Sequence, residues 1–332
     1  MTPQTTAIIV TYNSAGEIGA ALTVLLQPHK AGVLECVVVD NRSQDGTAQI
    51  VRRDYPWVTL IESPVNLGYG RGLNLGMSGA TTPYVLFMNP DAVITAADIA
   101  RLSTFLDEHS QAGMVAPAIL EGDGQIQYAG GLPTPWRIIA SAAGTALWTK
   151  PQRPILRGEA PFKTDWLCGA LLLARRELMG ELEGFDPRFF LYFEETDLCR
   201  RVLQRGYQLW AIGQASAYHV GSVSAKKTGE RLFVSCIAEH YFRSRFYYLH
   251  KFYGWPIAAI TEIAELSLLS IRSLYNRFRR RPDESGLSAR MTGPFLSLPD
   301  PVEVDSGYNP VLHRGGTTQA VVDGSTRARR DK

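Results

Sequence analysis

Glu194, Glu195 and Asp197 lie within four residues of one another, next to Phe189, Phe190, Tyr192 and Phe193. Carboxyls crowded against apolar side chains raise one another's pKa, which suits a general base working near neutral pH. An acidic run of this kind also opens solvated helices, so the residues alone leave both readings open. Asn89-Pro90-Asp91 follows the apolar run Tyr84 to Met88. Asp91 there offers a hard oxygen ligand to a divalent cation bridging two phosphates, or completes a turn. His219 is either a structural histidine or a ligand. Asp40 closes the apolar run Cys36 to Val39 and is followed by Asn41, Ser43, Asp45 and Gly46. Its carboxylate can accept the ring N–H of a pyrimidine base, or cap the helix that follows. Asn66 to Gly76 is glycine-rich around Arg71 and Asn74. Such backbone approaches a diphosphate closely, and an arginine pairs with phosphate. The run is neither a G-x-G-x-x-G fingerprint nor a P-loop, and a tight loop without a ligand has the same composition.

These residues need elements to hold them. Ala7 to Tyr12, Cys36 to Asp40, Val58 to Ile61 and Tyr84 to Met88 are short apolar runs. Helical spacing separates them, as in Ile18, Leu22, Leu25 and Leu26. Continuous apolar strands alternating with helices predict a parallel sheet covered on both faces. Ligands in such sheets sit beyond the carboxyl ends of the strands, where Tyr12, Asp40 and Asp91 fall. Residues 115 to 225 are less regular and are expected to complete an acceptor pocket. After residue 230, aromatic and basic residues interleave from His240 to Tyr253. Pro256 to Ile271 is mostly apolar and is followed by Arg272, Arg277, Arg279, Arg280 and Arg281. The interleaved aromatics and arginines, and an apolar helical face ending in basic residues, both suit a membrane surface, so residues 229–281 are expected to form a membrane-associating helical extension. From residue 282 the composition predicts a flexible tail. The expected divisions are residues 1–228, 229–281 and 282–332.

The 332 residues are 45% hydrophobic and 20% charged, with 34 Lys and Arg against 32 Asp and Glu. This balance excludes a wholly disordered chain and a polycation built for nucleic acid. Cys36, Cys168, Cys199 and Cys236 form no close C-x-x-C pair, which argues against a zinc ribbon or dithiol motif. Scattered cysteines suit a reducing compartment, so a cytoplasmic protein is expected, peripheral on the inner face of the cell membrane. No signal peptide or run of 18 uncharged apolar residues is visible.

The order of motifs resembles the family-2 inverting glycosyltransferases. The matching segments are Ile9 to Asn13, Val39 to Thr47, Asn66 to Gly70, Asn89 to Asp91, Asp165 to Ala170 and Phe193 to Arg200. They span about residues 5 to 225. The resemblance implies a GT-A fold: an α/β mixed sheet flanked by helices, here with a C-terminal helical extension. It also implies a nucleotide-sugar donor and a divalent cation, Mg2+ or Mn2+. Thr11, Tyr12 and Asp40 then match positions for the base and ribose, and Asn66, Arg71 and Asn74 the loop beside the nucleotide. Asp91 matches the last acid of the D-x-D metal motif, whose first acid is replaced by Asn89. His219 falls where related galactofuranosyl enzymes place a metal-binding histidine. Glu195 matches the general base, with Glu194 as a rival, and Trp166 and Gly169 shape the sugar pocket. Within the family the layout is most similar to rhamnosyltransferases. That likeness implies dTDP-rhamnose as donor and polyprenyl-diphosphate-linked N-acetylglucosamine as lipid-linked glycan acceptor, in cell-wall or polysaccharide synthesis.

Two rival classes have their own signatures. A nucleotidyltransferase wants a basic glycine-rich loop near the N-terminus, whereas Thr11 to Gly16 contains no Lys or Arg. A non-catalytic nucleotide-sugar-binding protein fits the incomplete metal motif but leaves Glu194, Glu195, Asp197 and His219 together without a purpose.

Overall fold

The computed structural model describes residues 3–122, 124–145, 152–219, 236–282 and 286–299. Most of the expected tail lies outside these residues. The N-terminal half alternates as expected: β1 (Thr5–Thr11), α1 (Ile18–Lys30), β2 (Leu34–Asp40), α2 (Thr47–Asp54), β3 (Thr59–Glu62), α3 (Tyr69–Met77) and β4 (Tyr84–Met88). β1 pairs in parallel with both β2 and β4, and β2 with β3. Successive residues of one strand feed two cores. Ala7 and Ile9 pack with Leu22 and Leu25 of α1 on one face, while Ile8 and Val10 pack with Leu73 of α3 on the other. Burial on both faces is why these strands are continuously apolar rather than alternating.

The second half turns the sheet mixed. It continues with β5 (Ala92–Ile94), α4 (Ala96–Glu108), β6 (Ala112–Glu121), β7 (Tyr128–Ala129), α5 (Pro135–Ala142), β8 (Arg153–Pro154), β9 (Phe162–Thr164), β10 (Leu171–Arg175), α6 (Arg176–Glu181), α7 (Glu194–Gln204) and β11 (Gln208–His219). The strand order is β3-β2-β1-β4-β10-β6-β11-β5, with β9 beside β11. β10 runs antiparallel between β4 and β6. β6 and β11 run parallel through a register shift between Ile212 and Ser216, opposite Pro117 and Ala118. Pro117 lacks an N–H for the ladder, and a bulge is where a sheet tolerates that.

Three more helices follow, α8 (Cys236–Tyr253), α9 (Trp255–Phe278) and α10 (Leu287–Met291). The interleaved aromatics of α8, expected to meet a membrane, turn inward instead. Phe246, Tyr247, Tyr248 and Leu249 form a buried cluster with Phe189, Phe193 and Ala258. Tyr241 packs edge-on against Phe193, and His240 stacks on Phe190. Lys251 holds the same junction, its Nζ 2.7 Å from Asp186 and also bonded to Asp197. An exposed apolar face lies on α9, with Ile260, Ile263, Ile271, Leu274 and Phe278 open to solvent. Residues 286–299 also depart from the flexible-tail expectation. Arg290 of α10 is buried, 2.9 Å from Glu262 and 3.2 Å from Glu265, because those buried carboxylates need a second cation beside Arg245.

Candidate functional site

β1 and β2 end in register, Thr11 opposite Asp40. The Thr11 hydroxyl donates to Asp40 Oδ1 at 2.9 Å, and the Ser43 N–H to Oδ2 at 2.9 Å. Asp40 therefore orders its own turn, and Asp45 does the same for the next. Asp45 accepts the Ala15 N–H and the Thr47 hydroxyl, and these bonds hold its carboxyl below the ordinary range against the upward pull of burial. Tyr12, half exposed, stands at the end of β1 over this rim. Asn66 Oδ1 accepts the Gly68 N–H at 3.0 Å. Asn41, which sequence reasoning passed over, donates to the Gly68 carbonyl at 2.9 Å and ties this loop to β2.

The glycines of α3 have a packing explanation. A Cβ on Gly72 would lie 2.8 Å from Val10, and one on Gly76 2.4 Å from Ile8, so the helix sits directly on the sheet. Asn74 is buried and both ends of its amide bond the Phe185 backbone at 2.8 Å. It clamps α3 to the segment before α7, so in the loop expected beside the nucleotide its own amide is taken up by backbone. Arg71 is different. Its guanidinium makes no hydrogen bond or ion pair among the described residues, and burial lowers its pKa.

Asp91 and His219 meet at the other side of β4, where β5 pairs antiparallel with the end of β11. His219 Nε2 lies 3.0 Å from Asp91 Oδ1 and 3.3 Å from Asn89 Nδ2. Its Nδ1 lies 3.0 Å from Glu121, its register partner at the end of β6. Burial alone lowers the imidazole pKa, but the carboxylates of Asp91 and Glu121 outweigh it and raise the value. Glu121 was missed in the sequence, where it is merely one acid near a Gly-Asp-Gly turn. No group of three or more His, Cys, Asp or Glu side chains among the described residues forms a metal cage. Asp91 and His219 nevertheless fit a shared cation. Two neighbouring ligands on an octahedral ion at about 2.1 Å lie about 3 Å apart. A carboxylate on Nδ1 leaves Nε2 to the metal, the usual orientation of a ligating histidine.

The third group is the start of α7. Phe193, the residue before it, adopts a left-handed conformation with φ 67°, which turns the helix N-terminus sharply out of the preceding loop. Glu195 then faces a cleft of about 850 Å³ that it lines together with Trp166, Thr196 and Tyr192. The Thr196 hydroxyl donates to Glu195 Oε1 at 3.0 Å and accepts the Trp166 indole N–H at 2.9 Å. Gly169 gives Glu195 room, because a Cβ there would lie 3.2 Å from that of Glu195. Burial raises the Glu195 pKa in spite of those hydrogen bonds. Glu194 is buried with Oε2 unpartnered, and burial, then the Glu195 charge, raises its pKa well above the ordinary value. Asp197 points elsewhere, into ion pairs with Arg201 and Lys251, and stands apart from the other two acids.

Electrostatics ties the groups together. The Tyr69 hydroxyl donates to the Gly169 carbonyl at 3.3 Å. Burial raises its pKa, with further contributions from Glu194, Asp91 and Glu195. Burial likewise pushes the Cys168 thiol up to about 12, with Glu195 and Glu121 adding to it. The acid pair and the Asp91–His219 pair thus share one region at the carboxyl ends of the strands.

A sequence profile described as Glycosyl transferase family 2 matches residues 6–182. The N-acetylglucosaminyl-diphospho-decaprenol L-rhamnosyltransferase of Mycobacterium tuberculosis (strain ATCC 25618 / H37Rv) is 30% identical over 305 residues, covering 85% of this chain and 97% of that protein. The dTDP-rhamnosyl transferase RfbF of Shigella flexneri is 25% identical over 245 residues, 72% of this chain and 77% of that one. Among solved structures, GalNAc-T7 with UDP, GalNAc and Mn2+ superposes with a TM-score of 0.51 at 15% identity, over 66% of this chain and 44% of that chain. That likeness concerns the GT-A fold, and the mixed nine-stranded sheet agrees with it. With a profile matching more than half of its length and a 30% identical relative matching most of it, the chain belongs to glycosyl transferase family 2.

Proposed function

We propose that this glycosyltransferase moves L-rhamnose from dTDP-rhamnose to a hydroxyl of polyprenyl-diphosphate-linked N-acetylglucosamine, with inversion at the anomeric carbon. The observation that carries the reaction class is Glu195. It is a carboxyl with a raised pKa, aimed into a large cleft and fixed through Thr196 and Trp166. Its carboxylate accepts the proton of the acceptor hydroxyl as that oxygen attacks the anomeric carbon. The nucleoside diphosphate departs from the opposite face. Asp91 Oδ1 and His219 Nε2 would hold a divalent cation, which supplies positive charge to the departing diphosphate. Glu121 keeps the imidazole turned so that Nε2 faces Asp91. Thr11, Tyr12, Asp40, Asn66 and Arg71 border the nucleotide, and Asn89 lies beside the cation pair. Rhamnose and the lipid-linked acceptor rest on the two rhamnosyltransferase relatives. Work on a lipid-linked acceptor accords with the exposed apolar face of α9 and the arginines after it. The proposed location is therefore peripheral on the cytoplasmic face of a membrane.

Sugar transfer from dTDP-rhamnose, followed by mass spectrometry, tests the reading. Glu195→Gln is expected to lower kcat by about 10²–10⁴ while calorimetric donor binding persists. In the wild type the acidic limb of kcat should lie above the ordinary glutamate value of about 4.3, since burial raises this pKa. Unchanged turnover in the variant removes Glu195 from the base role. Transfer from a UDP- or GDP-sugar alone would keep the family and discard rhamnose.

A further inference from the structure

We propose that Glu121 supplies the negative charge that Asn89 withholds from the Asp91–His219 pair, and so sets how tightly that pair holds a divalent cation. This rests on the reading of Asp91 and His219 as cation ligands. It goes beyond orienting the imidazole, because orientation needs only a hydrogen-bond acceptor on Nδ1, whereas affinity for a cation needs charge.

The strand ends bring the four side chains together. His219 closes β11, in register with Glu121 at the end of β6 and with Ala92 of β5, the residue after Asp91. Both Glu121 oxygens reach Nδ1, at 3.0 and 3.1 Å, while Nε2 faces Asp91 Oδ1 at 3.0 Å. Asn89 Nδ2 lies 3.3 Å from the same Nε2. Position 89 thus adjoins the cation pair and carries a neutral amide. Glu121 is held in place without being neutralised. The Gln127 amide donates to its Oε1 at 2.5 Å, and its own N–H donates to the Gln125 carbonyl at 2.7 Å. Among the described residues its carboxylate pairs with His219 and with no Lys or Arg.

A divalent cation on Asp91 Oδ1 and His219 Nε2 meets one carboxylate and one neutral ring. With Nε2 given to the cation, the ring proton sits on Nδ1 and is donated to Glu121, which makes the imidazole a stronger ligand. The Glu121 charge also acts directly on the cation. The His219, Asp91 and Glu121 side chains are only 9, 12 and 19% exposed, so solvent screens that charge weakly. The acid that the D-x-D pattern places at position 89 therefore stands here behind the imidazole. One carboxylate on each side of the ring balances the two positive charges.

The test is Mn2+ binding by the full chain, read from the loss of the free ion's electron paramagnetic resonance signal, with and without dTDP. Glu121→Gln keeps a carbonyl oxygen for the Nδ1 proton and removes the charge. It is expected to raise the Mn2+ Kd about tenfold or more, within the range of about 10–100-fold usual for such partners. Adding Asn89→Asp to Glu121→Gln should recover most of the loss, since it returns a carboxylate to the pair from the other side. A folding defect in Glu121→Gln would not be repaired by a charge at position 89. Unchanged affinity in Glu121→Gln, or a loss that Asn89→Asp leaves in place, overturns the proposal while the cation pair stands. Mn2+ binding that Asp91→Asn leaves unaltered, or no binding by the wild type in either condition, overturns the proposal and the cation pair together. Glu121-dependent binding in a protein that transfers no rhamnose would support the proposal and remove the assigned reaction.

Discussion

Glu194 and Glu195 are neighbours in the chain, yet the first turn of α7 sends them into different surroundings. Glu195 borders the cleft with a hydroxyl partner, while Glu194 is buried behind it with an unpartnered oxygen. A carboxyl with a higher pKa in the folded than in the unfolded state binds more protons when folded. The stability it contributes is present below the unfolded value of about 4.3 and is lost as pH rises toward the folded value. Glu194→Gln removes that loss. The urea midpoints of wild type and variant should nearly coincide near pH 4. Near pH 8 the variant should be more stable, by about 1–3 kcal/mol, the usual cost of an unsatisfied buried polar group. A gap that does not widen with pH would show that Glu194 titrates as an ordinary carboxyl. The two acids were visible in the sequence as a cluster. Which of them faces the cleft was not, because that depends on the left-handed turn at Phe193. Glu121 was invisible for a related reason: it meets His219 only through the β6–β11 register, 98 residues apart.

At the scale of elements, the glycine-rich loop shows how one composition serves two ends. The sequence suggested backbone kept bare for a diphosphate, and the contacts of α3 show backbone kept bare for packing. Gly68 has φ +78°, and a Cβ there would lie 2.1 Å from the Phe190 carbonyl oxygen, which accepts the Tyr69 N–H. Gly68→Ala combines a left-handed non-glycine residue with overpacking against backbone. It is expected to cost about 3 kcal/mol of stability, read as a lowered urea midpoint. Gly16→Ala, where nothing lies within 4 Å of the added carbon, is the control and should be near neutral. A neutral Gly68→Ala would mean that the loop relaxes freely. β1, β2 and β4 were legible because each is a near-continuous run buried on both faces, and β3, at the edge of the sheet, by its short apolar centre. β6 was hidden by Gly113 and Pro117 within it, and α8 was misdirected by its aromatics. Side-chain type alone does not distinguish a face against lipid from a face against Phe189 and Phe193.

At the scale of the molecule, α9 joins the catalytic body to its surroundings. No helix among the described residues is long and apolar enough to cross a membrane. α9 nevertheless exposes Ile260, Ile263, Ile271, Leu274 and Phe278, the last at 84%, along one side. Exposed Arg277, Arg279, Arg280 and Arg281 gather at its C-terminal end. The spacing of three, eight, three and four residues keeps these apolar side chains on one helical stripe. The opposite side carries Glu262 and Glu265 into the buried ion network and Arg272 into the cleft. A helix divided in this way lies flat in an interface, with its apolar stripe in the acyl boundary and its arginines among anionic headgroups. The full chain should co-sediment with vesicles containing phosphatidylglycerol, and raised salt should weaken that binding. The triple variant Ile271→Glu, Leu274→Glu, Phe278→Glu should lose it by at least about tenfold without a change in melting temperature, since these side chains are already exposed. Its transfer to a short, water-soluble acceptor should remain, whereas transfer to a long-chain acceptor embedded in vesicles should fall. Vesicle binding that survives the triple variant would place the membrane contact on another surface, and absence of binding by the wild type would remove the peripheral-membrane reading.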